Sequence, residues 1–195
     1  MLGISPNGSG IPPSIADRRV IAEMTAARKP AVPKAPRGVA RKGNLYFAYG
    51  ANMAVRDMRS RCPGAMLLGT AKLRNFRFHI NRDGYATIVP DARKTVFGAL
   101  WRLTVRDLRA LDAFEEVDRG IYIRTRMDVR LPRGGMMPAI IYLATNAEPG
   151  RPQRRYIRGI VESARHFRFP AAYRHELSQW EAPAEKRGGE IHGSR

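Results

Sequence analysis

The order in which hydrophobic periods follow one another between residues 44 and 181 is the feature that most limits what this chain can fold into. Leu45, Tyr46 and Phe47 open the region as a short buried strand of β-forming residues. Residues 53–61 then read as a short helix stopped by Cys62-Pro63-Gly64, because proline disfavours helix in the residue before it and glycine completes a turn. Strands are expected over 66–73, 76–81, 85–89 and 95–103. In the second of these, Phe76, Phe78 and Ile80 alternate with Arg77 and His79, a period of two with one apolar face. At Thr104, an N-cap residue, the period changes to that of a helix over 105–114, with Leu108 and Leu111 turned to the core. A hairpin follows over 121–131 and 137–144 around Pro132-Arg133-Gly134-Gly135, and helices over 153–166 and 171–180 close the region on either side of Phe169-Pro170. Strand runs broken by single helices, without regular βαβ alternation, imply an α+β fold: a mixed, mainly antiparallel, barrel-like sheet flanked by a few helices.

Outside this region the composition changes. Residues 1–43 are rich in Pro, Gly, Ala, Ser and basic side chains, with one short helical pattern over 14–27, and are expected to be disordered. Their Arg- and Ala-rich, acid-poor character also fits an organelle-targeting peptide, although the apolar core of a secretory signal is missing. Residues 182–195 read as a second disordered tail, which leaves one domain over 44–181. No apolar run approaches the roughly 20 residues that span a bilayer. The single cysteine, Cys62, leaves no internal disulfide and no multi-cysteine zinc site, and the cytoplasm is the expected location. The net charge of +18 would attract polyanions, and eight of the basic residues lie before Asn44. The other arginines recur along the chain without forming a block, the pattern of a solvated surface, so nucleic-acid contact is expected to be non-specific at most.

Two stretches could carry chemistry. The first is Tyr49-Gly50-Ala51-Asn52-Met53, where the opening strand meets a glycine. If Asn52 caps a helix starting near Met53, the N–H groups of Gly50, Ala51 and Asn52 can converge on a carboxylate or an oxyanion. An ordinary strand-to-helix turn explains the same residues. The second stretch runs from Leu111 to Arg124, where a helix ends among Asp112, Glu115, Glu116 and Asp118 before a strand restarts after Gly120. The helix dipole disfavours carboxylates at a C-terminus, so these acids call for a reason. Either a solvated loop or a functional carboxylate supplies one.

Taken together, Tyr49-Gly50-Ala51-Asn52 after a first strand and Asp112-x-x-Glu115-x-Val117-x-x-Gly120-x-Tyr122 after a mid-domain helix resemble the gamma-glutamylcyclotransferase family, including the AIG2-like proteins. The segment 152–180, with Tyr156, Ile160, Pro170 and Tyr173, is similar to that family's closing helices. The resemblance implies a gamma-glutamylcyclotransferase-like fold over roughly residues 45–180. It also implies that Glu115 is the catalytic carboxylate, that Tyr49, Gly50, Ala51, Asn52 and Met53 form the substrate loop, and that Tyr122 and Tyr156 are pocket tyrosines. Two residues depart from the family pattern: Ala51 stands where serine is usual, and Glu116 where glycine is usual. A second carboxylate at Glu116 either raises the proton affinity of Glu115 or faces solvent.

The activity implied is the cyclisation of a gamma-glutamyl amide to 5-oxoproline with release of an amino acid or amine. Both reacting groups sit in one molecule, so orientation supplies much of the catalysis. A carboxylate must take a proton from the ammonium and return one to the leaving nitrogen, and no metal or cofactor is implied. The remaining candidates read more simply. His79 falls on the polar face of a strand, His166 and His175 on surface helices, and His192 in the tail, without metal-ligand spacing. Cys62 has no sequence-adjacent base, and no Gly-x-Ser-x-Gly elbow is present. Taken by themselves, Tyr122 and Tyr156 fit amphipathic core positions as well as a pocket, and Arg124 and Arg126 fit a solvated strand face. A second class of function stays open: a non-catalytic small-molecule or anion-binding module of the same fold with a basic N-terminal tail.

Overall fold

The computed structural model describes residues 44–181, so the expectations for residues 1–43, including the helix over 14–27, and for residues 182–195 lie outside the described residues. The elements are β1 (Asn44–Ala48), α1 (Val55–Arg61), β2 (Met66–Ile80), β3 (Ala86–Leu103), α2 (Val105–Phe114), β4 (Tyr122–Arg130), β5 (Met136–Ala144), α3 (Arg154–His166) and α4 (Ala171–Ser178). The strands form a closed barrel in the order β1-β3-β2-β4-β5. All pairings are antiparallel except β1 with β5, which run parallel and meet at Tyr46↔Ile140. The mixed, mainly antiparallel barrel expected from the sequence is therefore the observed architecture.

The strands are longer than their sequence patterns suggest. Residues 66–73 and 76–81 were expected to form two strands, and so were 85–89 and 95–103; each pair is one strand, β2 and β3, joined as a single long hairpin from Met66↔Arg102 to Ile80↔Ala86. The apparent break is a bulge. Thr95 faces Arg74 but Pro90 faces Phe76, so residues 91–94 of β3 stand opposite Asn75 alone. Asn75 adopts φ 65° there, and the side chain of Asp91 accepts from the N–H of Arg93 at 3.0 Å. Polar residues and proline are tolerated in mid-strand because this excursion is largely solvent-exposed.

Helix α2 spans the residues expected. Thr104 accepts from the N–H of Asp107 at 3.1 Å, and the Asp107 carboxylate accepts from the N–H of Thr104 at 3.0 Å, a reciprocal capping box. Asp107 is 2% exposed and also accepts from the N–H of Gly64 at 3.1 Å, which ties the start of α2 to the turn after α1. Leu111 is fully buried, whereas Leu108 is half-buried.

Inside the barrel the tightest approach is at Gly98 on β3. A Cβ there would lie 2.3 Å from the carbonyl oxygen of Ala48 and 2.7 Å from the ring of Phe47, so β1 can reach β3 only where the side chain is missing. Across the β3 arm, Phe97 packs on Phe169 and Tyr173, seating α4 and the end of α3. The buried face of α3, Ile157, Ile160, Val161 and Ala164, completes the core. Replacing Gly98 by alanine is expected to destabilise the domain by about 3 kcal/mol or more, at the upper end of overpacking penalties. Thermal unfolding should show a clear fall in Tm; an unchanged Tm would contradict the close approach.

A candidate active site at the mouth of the barrel

Parallel strands β1 and β5 both end at one mouth of the barrel, where β3 begins with Ala86 and β4 with Tyr122. The chain leaves β1 through Tyr49 and Gly50 into a 3-10 turn, Ala51–Met53, closed by the N–H of Met53 on the carbonyl of Gly50 at 3.0 Å. Gly50 lies against the far side of the mouth: a Cβ would stand 3.1 Å from that of Ala86 and 3.7 Å from the hydroxyl of Tyr156. Met53 is fully buried beneath the turn and seats it in the core. Asn52 does not cap a helix, contrary to the expectation. Helix α1 begins two residues later than foreseen, with Ala54 as its N-cap and no side-chain cap, because the Asn52 amide is engaged elsewhere.

That engagement is with Glu115. Helix α2 ends in a Schellman arrangement, with the N–H of Val117 on the carbonyl of Asp112 at 3.0 Å and the N–H of Glu116 on that of Ala113 at 3.3 Å. Glu115 is the C-cap, and Glu116 takes the left-handed position with φ 50°. This backbone requirement accounts for the glycine usual in the family pattern, and a non-glycine residue there is strained by about 1 kcal/mol. The Glu116 carboxylate pairs with Arg119. Glu116 is not among the groups that set the proton affinity of Glu115. Burial raises the Glu115 carboxyl from its usual range to about 7, against the opposing pull of the Arg61 charge and the Asn52 hydrogen bond.

The Asn52 amide is the hub of the site. Its Nδ2 donates to Oε1 of Glu115 at 2.8 Å and to the hydroxyl of Tyr46 at 3.0 Å, while its Oδ1 accepts from NH1 of Arg61 at 2.7 Å. Around it stand five phenols that all feel the Glu115 charge: Tyr46, Tyr49, Tyr122, Tyr142 and Tyr156. Burial pushes each of them upward, so they remain neutral hydrogen-bonding groups at physiological pH. Tyr49 donates to the carbonyl of Tyr142 at 2.5 Å, and Tyr142 donates to Asp112 at 2.7 Å. Tyr122 donates to the carbonyl of Ala86 at 2.9 Å, and the N–H of Ala86 donates to Tyr156 at 3.0 Å. The structure thus brings Tyr49, Gly50, Asn52, Glu115, Tyr122 and Tyr156 together, with half-buried Ala51 on the turn beside them.

Comparison with known proteins places the fold. The AIG2-like family model matches residues 95–177. The gamma-glutamylcyclotransferase of Mus musculus is 29% identical over 154 residues, which cover 74% of this chain and 81% of that protein. Its Homo sapiens counterpart is 29% identical over 143 residues, covering 68% and 76%. A solved gamma-glutamyl cyclotransferase structure superposes with a TM-score of 0.67 at 27% sequence identity, covering 75% of this chain and 92% of the other. The chain has the gamma-glutamylcyclotransferase fold.

Several residues of this gamma-glutamylcyclotransferase-like domain escape the sequence reading. Ala86 and Tyr142 join the site through the closure of the barrel, Tyr46 and Arg61 through their hydrogen bonds to Asn52, and no local pattern marks any of the four. His79 requires a correction: it is buried, not on a polar face, because Trp180 stacks edge-on against its ring at 5.6 Å and the loop carbonyl of Ala147 lies 3.1 Å from Nε2. Arg124 and Arg126 lie on an exposed strand face, as expected, and Arg124 also pairs with Asp112. Among the described residues no three His, Cys, Asp or Glu side chains gather as a metal site, and no helix is long and apolar enough to cross a membrane.

The raised Glu115 carboxyl has a signed consequence for stability. The folded protein binds this proton more tightly than the unfolded chain, so its contribution falls as pH rises from about 4.5 through about 7. The total is roughly 3 kcal/mol. Glu115→Gln removes the titration, so relative to the parent the variant should gain stability between pH 4.5 and pH 8 in chemical denaturation. The same difference at both pH values would contradict the burial of this group.

Proposed function

We propose that this domain is a gamma-glutamylcyclotransferase-like enzyme that cyclises a gamma-glutamyl amide to 5-oxoproline and releases an amino acid or amine, with Glu115 moving the protons. The observation that carries the reading is one carboxyl group poised at about 7, fixed by the Asn52 amide at the mouth of a barrel and ringed by neutral phenols. A group with that affinity accepts a proton from an ammonium and returns it near neutral pH. The alpha-nitrogen of the substrate attacks its own gamma-carbonyl carbon, forming the ring C–N bond. Glu115 holds the proton removed from the nitrogen and delivers it to the departing nitrogen as the gamma C–N bond breaks. Backbone N–H groups at Gly50, Ala51 and Asn52 are suited to hold the glutamyl portion or the oxyanion, and Ala51 keeps its backbone donor although it lacks a hydroxyl.

The Ala86 peptide supports the same substrate class. Its carbonyl takes the hydrogen of Tyr122, which leaves that phenol only lone pairs to offer; its N–H occupies a lone pair of Tyr156, which leaves that phenol a hydrogen to donate. One acceptor and one donor, side by side, suit the ammonium and carboxylate of an alpha-amino acid head, as found on a gamma-glutamyl group. The location proposed is the cytoplasm, where Cys62, a free and buried thiol, stays reduced.

Incubation with a panel of gamma-glutamyl amino acids, peptides and amines should yield 5-oxoproline from at least one. Glu115→Gln should lower that turnover by roughly 10²–10⁴ with the fold retained. Unchanged turnover would remove Glu115 from the mechanism, and binding without turnover across the panel would favour a non-catalytic binding module. Competition by truncated ligands tests the phenols separately. Tyr122→Phe should weaken ligands that carry the alpha-amine by about tenfold or more but spare glutaryl amides, which lack it. Tyr156→Phe should weaken ligands that carry the alpha-carboxylate but spare 4-aminobutyryl amides. An equal loss for all ligands would refute the division of roles.

A further inference from the structure

The carboxamide of Asn52 has two orientations of nearly equal shape, and only one of them serves Glu115. With its NH2 group toward Glu115 it donates to Oε1 at 2.8 Å. Turned over, it would set Oδ1 against the carboxylate. Tyr46, 3.0 Å from Nδ2, does not decide between them, because a hydroxyl can accept from nitrogen or donate to oxygen. Arg61 does decide. A guanidinium has donors only, and NH1 of Arg61 stands 2.7 Å from Oδ1 of Asn52, so the turned amide would press NH2 against NH1.

Arg61 is itself held in place. It is the last residue of α1, and its guanidinium carbon lies 4.0 Å above the ring of Phe114, the residue immediately before Glu115. A flat cation over an aromatic face is attracted by the ring and still presents its edge to a hydrogen-bond acceptor. The start of α2 is tied to the turn after α1 through Asp107 and Gly64, so the helices that carry Arg61 and Glu115 are fixed relative to each other. Among the described residues no carboxylate forms an ion pair with Arg61.

We infer that Arg61 is a positioning residue for this site, clamped on Phe114 so that its guanidinium keeps the Asn52 amide in the one orientation that donates to Glu115. The catalytic consequence rests on the role proposed above for Glu115; the orientation itself does not. The groups that bear on Glu115 are Arg61 from α1, Tyr46 from β1, Tyr49 from the turn that follows it, Tyr122 from β4, Tyr142 from β5 and Tyr156 from α3. The phenols are neutral in the working range. On the helix of Glu115 itself, Asp112 is held by Tyr142 and Arg124, and Glu116 beyond it by Arg119. Release of the amide therefore removes the side-chain hydrogen bond that favours the ionised form, and the carboxylate should hold its proton to higher pH.

The test uses the full chain with Arg61→Lys, which keeps the charge but loses the planar fork, and Phe114→Leu, which removes the platform at a partly exposed position that should tolerate it. In each, the NMR titration midpoint of the Glu115 side-chain carboxyl should rise by about half a unit or more above the parent. The acid-side limb of kcat/KM should move with it, and kcat at pH 7 should fall about tenfold while KM changes less. In an Asn52→Ala background, Arg61→Lys should shift neither the midpoint nor kcat further, because the residue through which it acts is gone. An unmoved midpoint in both single variants, or equal shifts with and without Asn52, would overturn the inference. The NMR midpoints decide it even if Glu115→Gln retains full turnover, an outcome that would sink only the proposed function.

Discussion

Three segments that share no ladder of hydrogen bonds at this point meet on one carboxamide. Asn52 joins the turn after β1 to the end of α1 through Arg61, to the end of α2 through Glu115, and to the barrel wall through Tyr46. Both of its amide hydrogens and its oxygen are engaged, so it can move in no direction without losing a partner in a half-dry environment where an unmade hydrogen bond costs about 1–3 kcal/mol. The orientation of the Glu115 carboxyl, the closeness of α1 to α2 and the course of the loop past Gly50 all follow from that fit.

The site works against several ordinary preferences. A carboxyl group sits at the wrong end of a helix dipole, half-buried among phenols, with the Arg61 cation separated from it by an amide. Each of these raises the energy of the anion or declines to lower it fully, and the result is an acid that is half ionised near neutrality. A direct Arg–Glu pair in the same place would have held the carboxylate charged throughout the neutral range. The amide between them supplies direction without neutralising the group.

Much of the fold can be read from the chain because its signals are local. Thr104 with Asp107 sets the start of α2, Pro132 to Gly135 set a hairpin, and Phe169-Pro170 separates the last helices, as the structure has it. The two long strands are not legible, because the break at Asn75 and residues 91–94 is a bulge that interrupts the apolar pattern but not the pairing. At the site, the loop and Glu115 stand out through their likeness to a family pattern. Asn52 misleads by obeying a local rule for helix caps while its partner lies 63 residues away. His79 misleads for a related reason: its strand face is polar by pattern but covered by Trp180 and the loop at Ala147, which sequence alternation does not register.

The closure of the barrel by a parallel contact between its first and last strands sets the order in which the domain can form. A parallel pair needs a crossover, and here the crossover is nearly the whole domain, from Tyr46 to Ile140. The hairpins β2–β3 and β4–β5 can zip locally, whereas β1 waits for the chain to return, which places barrel closure among the slow, long-range events of folding. Tyr156 arrives later still, on a helix that follows the last strand. A chain emerging from the ribosome therefore acquires its phenol-lined mouth only at the end of synthesis of the domain, and a partly made barrel lacks the phenol that the Ala86 N–H engages.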